Sequence, residues 1–104
     1  MKQYTSTEQT AKLIELGFEK PKSIVGHDGY WGYDYAYSIG ELIEMLPISF
    51  EIENDITVWL EIEVGISWSV LYSYCGFAEY DCEGKELIDA LFDMLVKLKA
   101  DGVI

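Results

Sequence analysis

A chain of 104 residues with 19 acidic and 7 basic side chains carries a formal net charge of -12, and its basic residues are lysines without a single arginine. Such a surface has too little positive charge to neutralise phosphates, so direct nucleic-acid binding is excluded and an anionic membrane surface would repel it. Half of the residues are hydrophobic, spread along the whole length, as expected of one acidic α+β domain over residues 1–104 rather than of a disordered segment.

Thr5-Ser6-Thr7-Glu8 opens the first predicted helix, with Thr5 as cap and Glu8 reaching back to complete a capping box. The helix continues through Ala11, Leu13, Ile14 and Leu16. It ends at Gly17, which is free to take the left-handed conformation of a helix terminator, and Pro21 prevents its resumption. Lys22 to Tyr37 reads as a loop or irregular strand, with His27-Asp28-Gly29 and Gly32 as turn signals. Ser38-Ile39-Gly40-Glu41 is a second capping box, flanked by Tyr37 and Leu42 as a hydrophobic staple. Ile39, Leu42, Ile43 and Leu46 follow at the helical period until Pro47.

Three period-two runs come next: Ile48, Phe50 and Ile52; Val58, Leu60, Ile62 and Val64; then Ile66, Trp68, Val70, Tyr72 and Tyr74. Alternation of this length marks strands with one covered and one wet face. All three apolar sets fall on even numbers, and residues paired across strands share a face. Each hairpin therefore needs an odd loop, such as Glu53-Asn54-Asp55, or a bulge. The last predicted helix runs from about Gly84 to Ala100, with Leu87, Leu91, Leu95 and Leu98 in one stripe. Glu79, Asp81 and Glu83 before it are read as acids favouring its N-terminal dipole end. The order is α-α-β-β-β-α, and the expected fold is an antiparallel three- to four-stranded β-meander with helices packed on one face.

The segment from Thr7-Glu8-Gln9-Thr10-Ala11 through Leu16-Gly17-Phe18-Glu19-Lys20-Pro21 resembles the opening of small proteins from bacteriophages and mobile elements of gut bacteria. The later order is similar as well: a capped helix from Ile39 to Leu46, strands around Trp59 and Trp68, and a closing helix with Leu87-Ile88-Asp89-Ala90-Leu91. Those proteins have no assigned activity, so the resemblance implies provenance, a phage-type accessory protein in a bacterial cytoplasm. Cytoplasmic location also fits two cysteines, Cys75 and Cys82, too few for a disulfide scaffold. No signal-peptide pattern precedes the first helix, and no apolar run approaches the ~20 residues of a membrane span.

Two surfaces carry functional expectations. The stretch around Tyr30, Trp31, Tyr33, Tyr35 and Tyr37 mixes aromatic residues and glycines as binding loops do, with the three odd-numbered tyrosines Tyr33, Tyr35 and Tyr37 sharing one face if it is a strand. The wet face of the meander should present Glu51, Glu53, Glu61 and Glu63 around Trp59, a docking surface for a basic protein, since Trp is a favoured interface anchor. The leading expectation is a non-catalytic interaction protein that binds a protein partner through these two surfaces, with competition with nucleic acid for a basic site as its sharper form. The alternatives are a small enzyme using His27 with carboxylates, and a homodimeric structural module that buries Trp59. No cofactor or metal motif is present, and the spacing of Cys75 and Cys82 fits no zinc pattern.

Overall fold

In a computed structural model that describes residues 1–26, 33–53 and 55–104, the chain is an α+β protein with two antiparallel sheets. The element order is α1 (Thr7–Glu15), β1 (Ser23–Gly26), β2 (Tyr33–Ala36), α2 (Ile39–Met45), β3 (Ser49–Glu51), β4 (Thr57–Val64), β5 (Trp68–Tyr74), β6 (Phe77–Gly84) and α3 (Leu87–Ala100). β3-β4-β5-β6 form a four-stranded meander, and β1-β2 a separate hairpin. The expected α-α-β-β-β-α order therefore lacked three strands, β1, β2 and β6.

Both capping boxes form. The first is built one residue later than expected, by Ser6 and Gln9 instead of Thr5 and Glu8. Thr5 is buried instead. Its hydroxyl lies 2.7 Å from that of Thr10 and accepts the amide of Tyr37, while its own amide donates to the Tyr37 carbonyl. Gly17 has φ +97° and ends α1 as a left-handed residue. In the second box Ser38 accepts the Glu41 amide and Glu41 accepts the Ser38 amide. Glu41 also accepts from the Lys22 amide and the Ser23 hydroxyl, so the cap of α2 pins the start of β1.

Strand register follows parity. Phe50 pairs with Val58, Leu60 with Tyr72 and Ile62 with Val70, keeping the even-numbered residues on one face. The loops between these strands are odd: 53–55, closed by the Ile52–Ile56 bond with Asp55 at φ 62°, and 65–67, closed by Gly65 to Ser67. The third hairpin solves the same problem differently. Cys75 and Gly76, at φ 49° and 83°, make a two-residue turn of the mirror-image type that hairpins favour. That turn sets Tyr74 opposite Phe77, and a register shift beside Tyr72 then restores Tyr72 opposite Tyr80.

α3 covers the even face. Its Leu87, Ile88, Ala90, Leu91, Met94, Leu95 and Leu98 are buried with Val58, Val70 and Tyr72 in one core that also takes Leu13, Tyr37, Leu42 and Leu46. The helix starts at Leu87, three residues after the expected Gly84, because Gly84 ends β6 beneath it. A Cβ on Gly84 would stand 3.2 Å from the Glu86 carbonyl oxygen and 3.3 Å from the Ala90 amide nitrogen, so a side chain there would need this backbone to shift slightly. Glu79, Asp81 and Glu83 consequently belong to a strand and not to a helix entrance. The acids at the start of α3 are Glu86 and Asp89, which hold the other end of the chain: Glu86 accepts the Lys2 amide, and Asp89 accepts from Lys2 Nζ at 3.0 Å and Gln9 Nε2 at 2.8 Å.

Candidate protein-interaction surface

Among the described residues no helix lies over the odd-numbered face of the meander. Its rows are read directly from the register. Ser49, Trp59, Ser73 and Ala78 lie across the four strands. Glu61, Leu71 and Asp81 form the next row across β4, β5 and β6, and Glu63, Ser69 and Glu83 the one after. β4 and β6 thus carry one acidic rail each, Glu61 and Glu63 on one side, Asp81 and Glu83 on the other. The central strand between them contributes only the neutral Ser69, Leu71 and Ser73. Two strand spacings separate the rails by about 9.5 Å, and along each rail the carboxylates recur every ~6.8 Å.

The floor of this trough is well held. Leu71 and Ser73 are buried between the flanking side chains, and the Ser73 hydroxyl donates to Glu61 Oε1 at 2.9 Å. Trp59 stands at the end of the trough, 55% exposed. An indole of that exposure beside aligned carboxylates suits an aromatic anchor with an electrostatic rim, where a lysine or arginine stem can lie on the ring and its charge reach an acid.

Of the residues expected to form this surface, Glu51, Glu61, Glu63 and Trp59 share the open face; Glu53 does not, because β3 ends at Glu51 and Glu53 sits in the turn. Asp81 and Glu83 complete it and were not among the expected site residues. Their signal was present in the odd parity of the acids in Glu79-Tyr80-Asp81-Cys82-Glu83, the same parity as Glu61 and Glu63.

The described part of the aromatic segment lies outside the meander. β1 and β2 pair with each other, Ile24 opposite Tyr35, and belong to a different sheet. Tyr35 is 59% exposed and lines a cleft of about 350 Å³ with Thr10, Ile14, Lys20 and Pro21. The shared face that a strand running through Tyr37 would give does not arise, because the strand stops short of Tyr37. The chain leaves β2 after Ala36, and Tyr37 turns into the core, where its hydroxyl donates to the Glu19 carbonyl. Burial, then the charges of Glu41 and Glu19, push the Tyr37 hydroxyl above its ordinary pKa. Tyr33 lies in β2, and Tyr30, Trp31 and His27, with the catalytic reading of that histidine, fall outside the described residues.

No protein-family model, curated protein or solved structure matches the chain. Nor do the described residues bring together three or more His, Cys, Asp or Glu side chains able to hold a metal ion. Cys75 is exposed in the turn after β5, while Cys82 is partly covered and packs against the core. Burial, then Asp93, push the Cys82 thiol up in pKa against the opposing charge of Lys97, which keeps it a thiol rather than a nucleophilic thiolate. Among the described residues no helix is long and apolar enough to cross a membrane.

Proposed function

We propose that this chain is a non-catalytic interaction protein, a phage or mobile-element accessory protein of the bacterial cytoplasm, whose acidic trough binds a basic partner protein. The observation that carries the reading is the pair of carboxylate rails, Glu61 with Glu63 and Asp81 with Glu83, flanking a neutral floor with exposed Trp59 at its end. Like charges gathered on one sheet face work against folding by a small amount. A basic partner turns that loss into attraction and steers the encounter. A partner whose basic site ordinarily holds nucleic acid would fit the same two rails, which makes competition with nucleic acid the sharper form of the reading.

The test is affinity capture from the bacterial host, run in parallel with wild type and with a variant carrying Glu61→Gln, Glu63→Gln, Asp81→Asn and Glu83→Gln. Wild type should retain a basic protein that moderate salt releases and that added nucleic acid displaces, and the variant should retain none. Trp59→Ala should weaken the same complex by about thirtyfold, the loss expected of an interface anchor. Repeated recovery of no partner by wild type would overturn the reading.

A further inference from the structure

The two edges of the meander are finished differently. On β4 the Leu60 amide donates to the Ile48 carbonyl at 2.9 Å, which fixes the even-numbered residues as those whose backbone groups point away from β5. Backbone groups alternate along an antiparallel strand, so Ile62 and Val64 direct their amides and carbonyls the same way as Leu60. The pairing of β3 with β4 runs only from Ser49 opposite Trp59 to Glu51 opposite Thr57, so among the described residues no strand lies beside Ile62 and Val64. The opposite edge, β6, has the same alternation with acids in the outward positions. Tyr80, Cys82 and Gly84 face β5, leaving Asp81 and Glu83 to carry the outward backbone groups, beside a bulge. Charge and a bulge are the ordinary protections of a sheet edge.

β4 has no such protection on its apolar side. Ile62 is 37%, Val64 67% and Ile48 75% exposed, and Ile66 at the tip is fully exposed, although all four have the parity of the helix-covered face. α3 packs on β5 and β6, so this stretch of β4 extends past the helical cover. The free edge therefore has an apolar side, an acidic side bearing Glu61 and Glu63, and a ladder of unpaired backbone groups between them.

From this we infer that the edge of β4 at Glu61–Val64 accepts an extended segment of the basic partner as an added strand, with Lys or Arg facing Glu61 and Glu63 and apolar residues facing Ile62 and Val64. This rests on the proposed function and assigns its binding mode. Charge complementarity selects the occupant. A second copy of this chain pairing antiparallel about Ile62 would set Glu61 opposite Glu63, and about Glu63 would set that residue opposite itself, both destabilising arrangements in a pair of chains that each carry -12. In the added strand the residues opposite Glu61 and Glu63 occupy the closely spaced, non-hydrogen-bonded positions, where opposite charges meet best. Main-chain bonds would supply affinity, and the alternation of basic and apolar residues specificity.

The experiment titrates the protein with a short synthetic peptide of alternating lysine and valine, and with a peptide of the same composition in which the lysines are grouped. Amide exchange is followed residue by residue. The alternating peptide should bind at least about tenfold more tightly and protect the Ile62 and Val64 amides. Val64→Pro removes an amide that faces no strand, at an edge position where proline is tolerated, and should abolish that difference. Equal binding of both peptides with Ile62 and Val64 still exchanging would overturn strand addition while leaving the acidic interaction surface standing. Binding of neither would overturn both. Self-association of wild type that Val64→Pro abolishes would show the edge to be filled by a second copy and would overturn the basic occupant.

Discussion

Val58 and Trp59 are neighbours on β4, yet Val58 is fully buried under the helical layer while Trp59 is 55% exposed on the other side of the same sheet. The contrast extends across the meander. On the even face Val70 and Tyr72 have no exposure, Tyr72 donates its hydroxyl to the Pro47 carbonyl at 2.7 Å, and the Phe50 ring lies 4.8 Å from the Tyr72 ring. On the odd face the central strand presents Ser69, Leu71 and Ser73 between two rails of acids. Stability is concentrated on the first face, which leaves the second free to carry a charge pattern that folding does not require.

The largest test of that division is Leu91→Ala. Leu91 is fully buried at the middle of α3, and its removal should cost about 2–5 kcal/mol, read as a shift in the denaturation midpoint. The same truncation on the open face, Trp59→Ala, should change stability by about 0.5 kcal/mol or less while weakening the complex with the partner by about thirtyfold. A comparable loss of stability from both would break the contrast, because it would make the indole part of the fold rather than of a binding surface.

Acid titration sharpens it further by asking which carboxylates support the fold. Burial alone would raise the Glu41 carboxyl, but the hydrogen bonds from the Lys22 amide, the Ser23 hydroxyl and Ser38 outweigh it and hold it below its ordinary pKa. Asp89 behaves likewise, with burial overcome by the bonds from Gln9 and Lys2 and by the Lys2 charge. A carboxyl whose folded pKa lies below its unfolded one contributes stability that is complete above the unfolded pKa and disappears as pH falls through the folded pKa. Asp93 runs the other way, pushed up by burial and then by Asp89. Glu41→Gln isolates one group. It should be less stable than wild type at neutral pH, and the gap should close as pH falls below the ordinary carboxylate range near ~4. A gap that stays constant would mean that Glu41 acts through its shape in the capping box and not through its charge.

How much of this was readable in advance depended on whether a residue's neighbours in sequence or its neighbours in space decide its role. Ser38 and Glu41 cap α2 because a capping box is local, and odd loops followed from parity because a one-residue slip would turn an apolar face to water. At α1 three consecutive hydroxyl residues competed for the cap, and Thr5 lost because its hydroxyl and amide are taken by Thr10 and Tyr37, contacts distant in sequence. β6 was hidden by composition. Its Ala78, Glu79, Asp81 and Glu83 have poor strand propensity, and only pairing with β5 makes them a strand. Half of the trough was lost with it. The β1–β2 hairpin was obscured by the glycines and aromatics around it, and Tyr37 by a change of direction that periodicity does not register.

The smallest expected effect bears on the trough itself. Glu61 and Glu63 face no acid directly across β5: their partners there are Leu71 and Ser69, and Asp81 and Glu83 lie one strand further. At about 9.5 Å the rails are separated by roughly one Debye length at ordinary salt, so their repulsion is weak and screened. Glu63→Gln should therefore stabilise the fold by only a few tenths of a kcal/mol at low ionic strength and by nothing measurable at high salt. A gain well above 1 kcal/mol would mean that the rails stand closer together than the register places them. A loss would mean that Glu63 makes a stabilising contact within the chain, and the open face would then share in holding the fold.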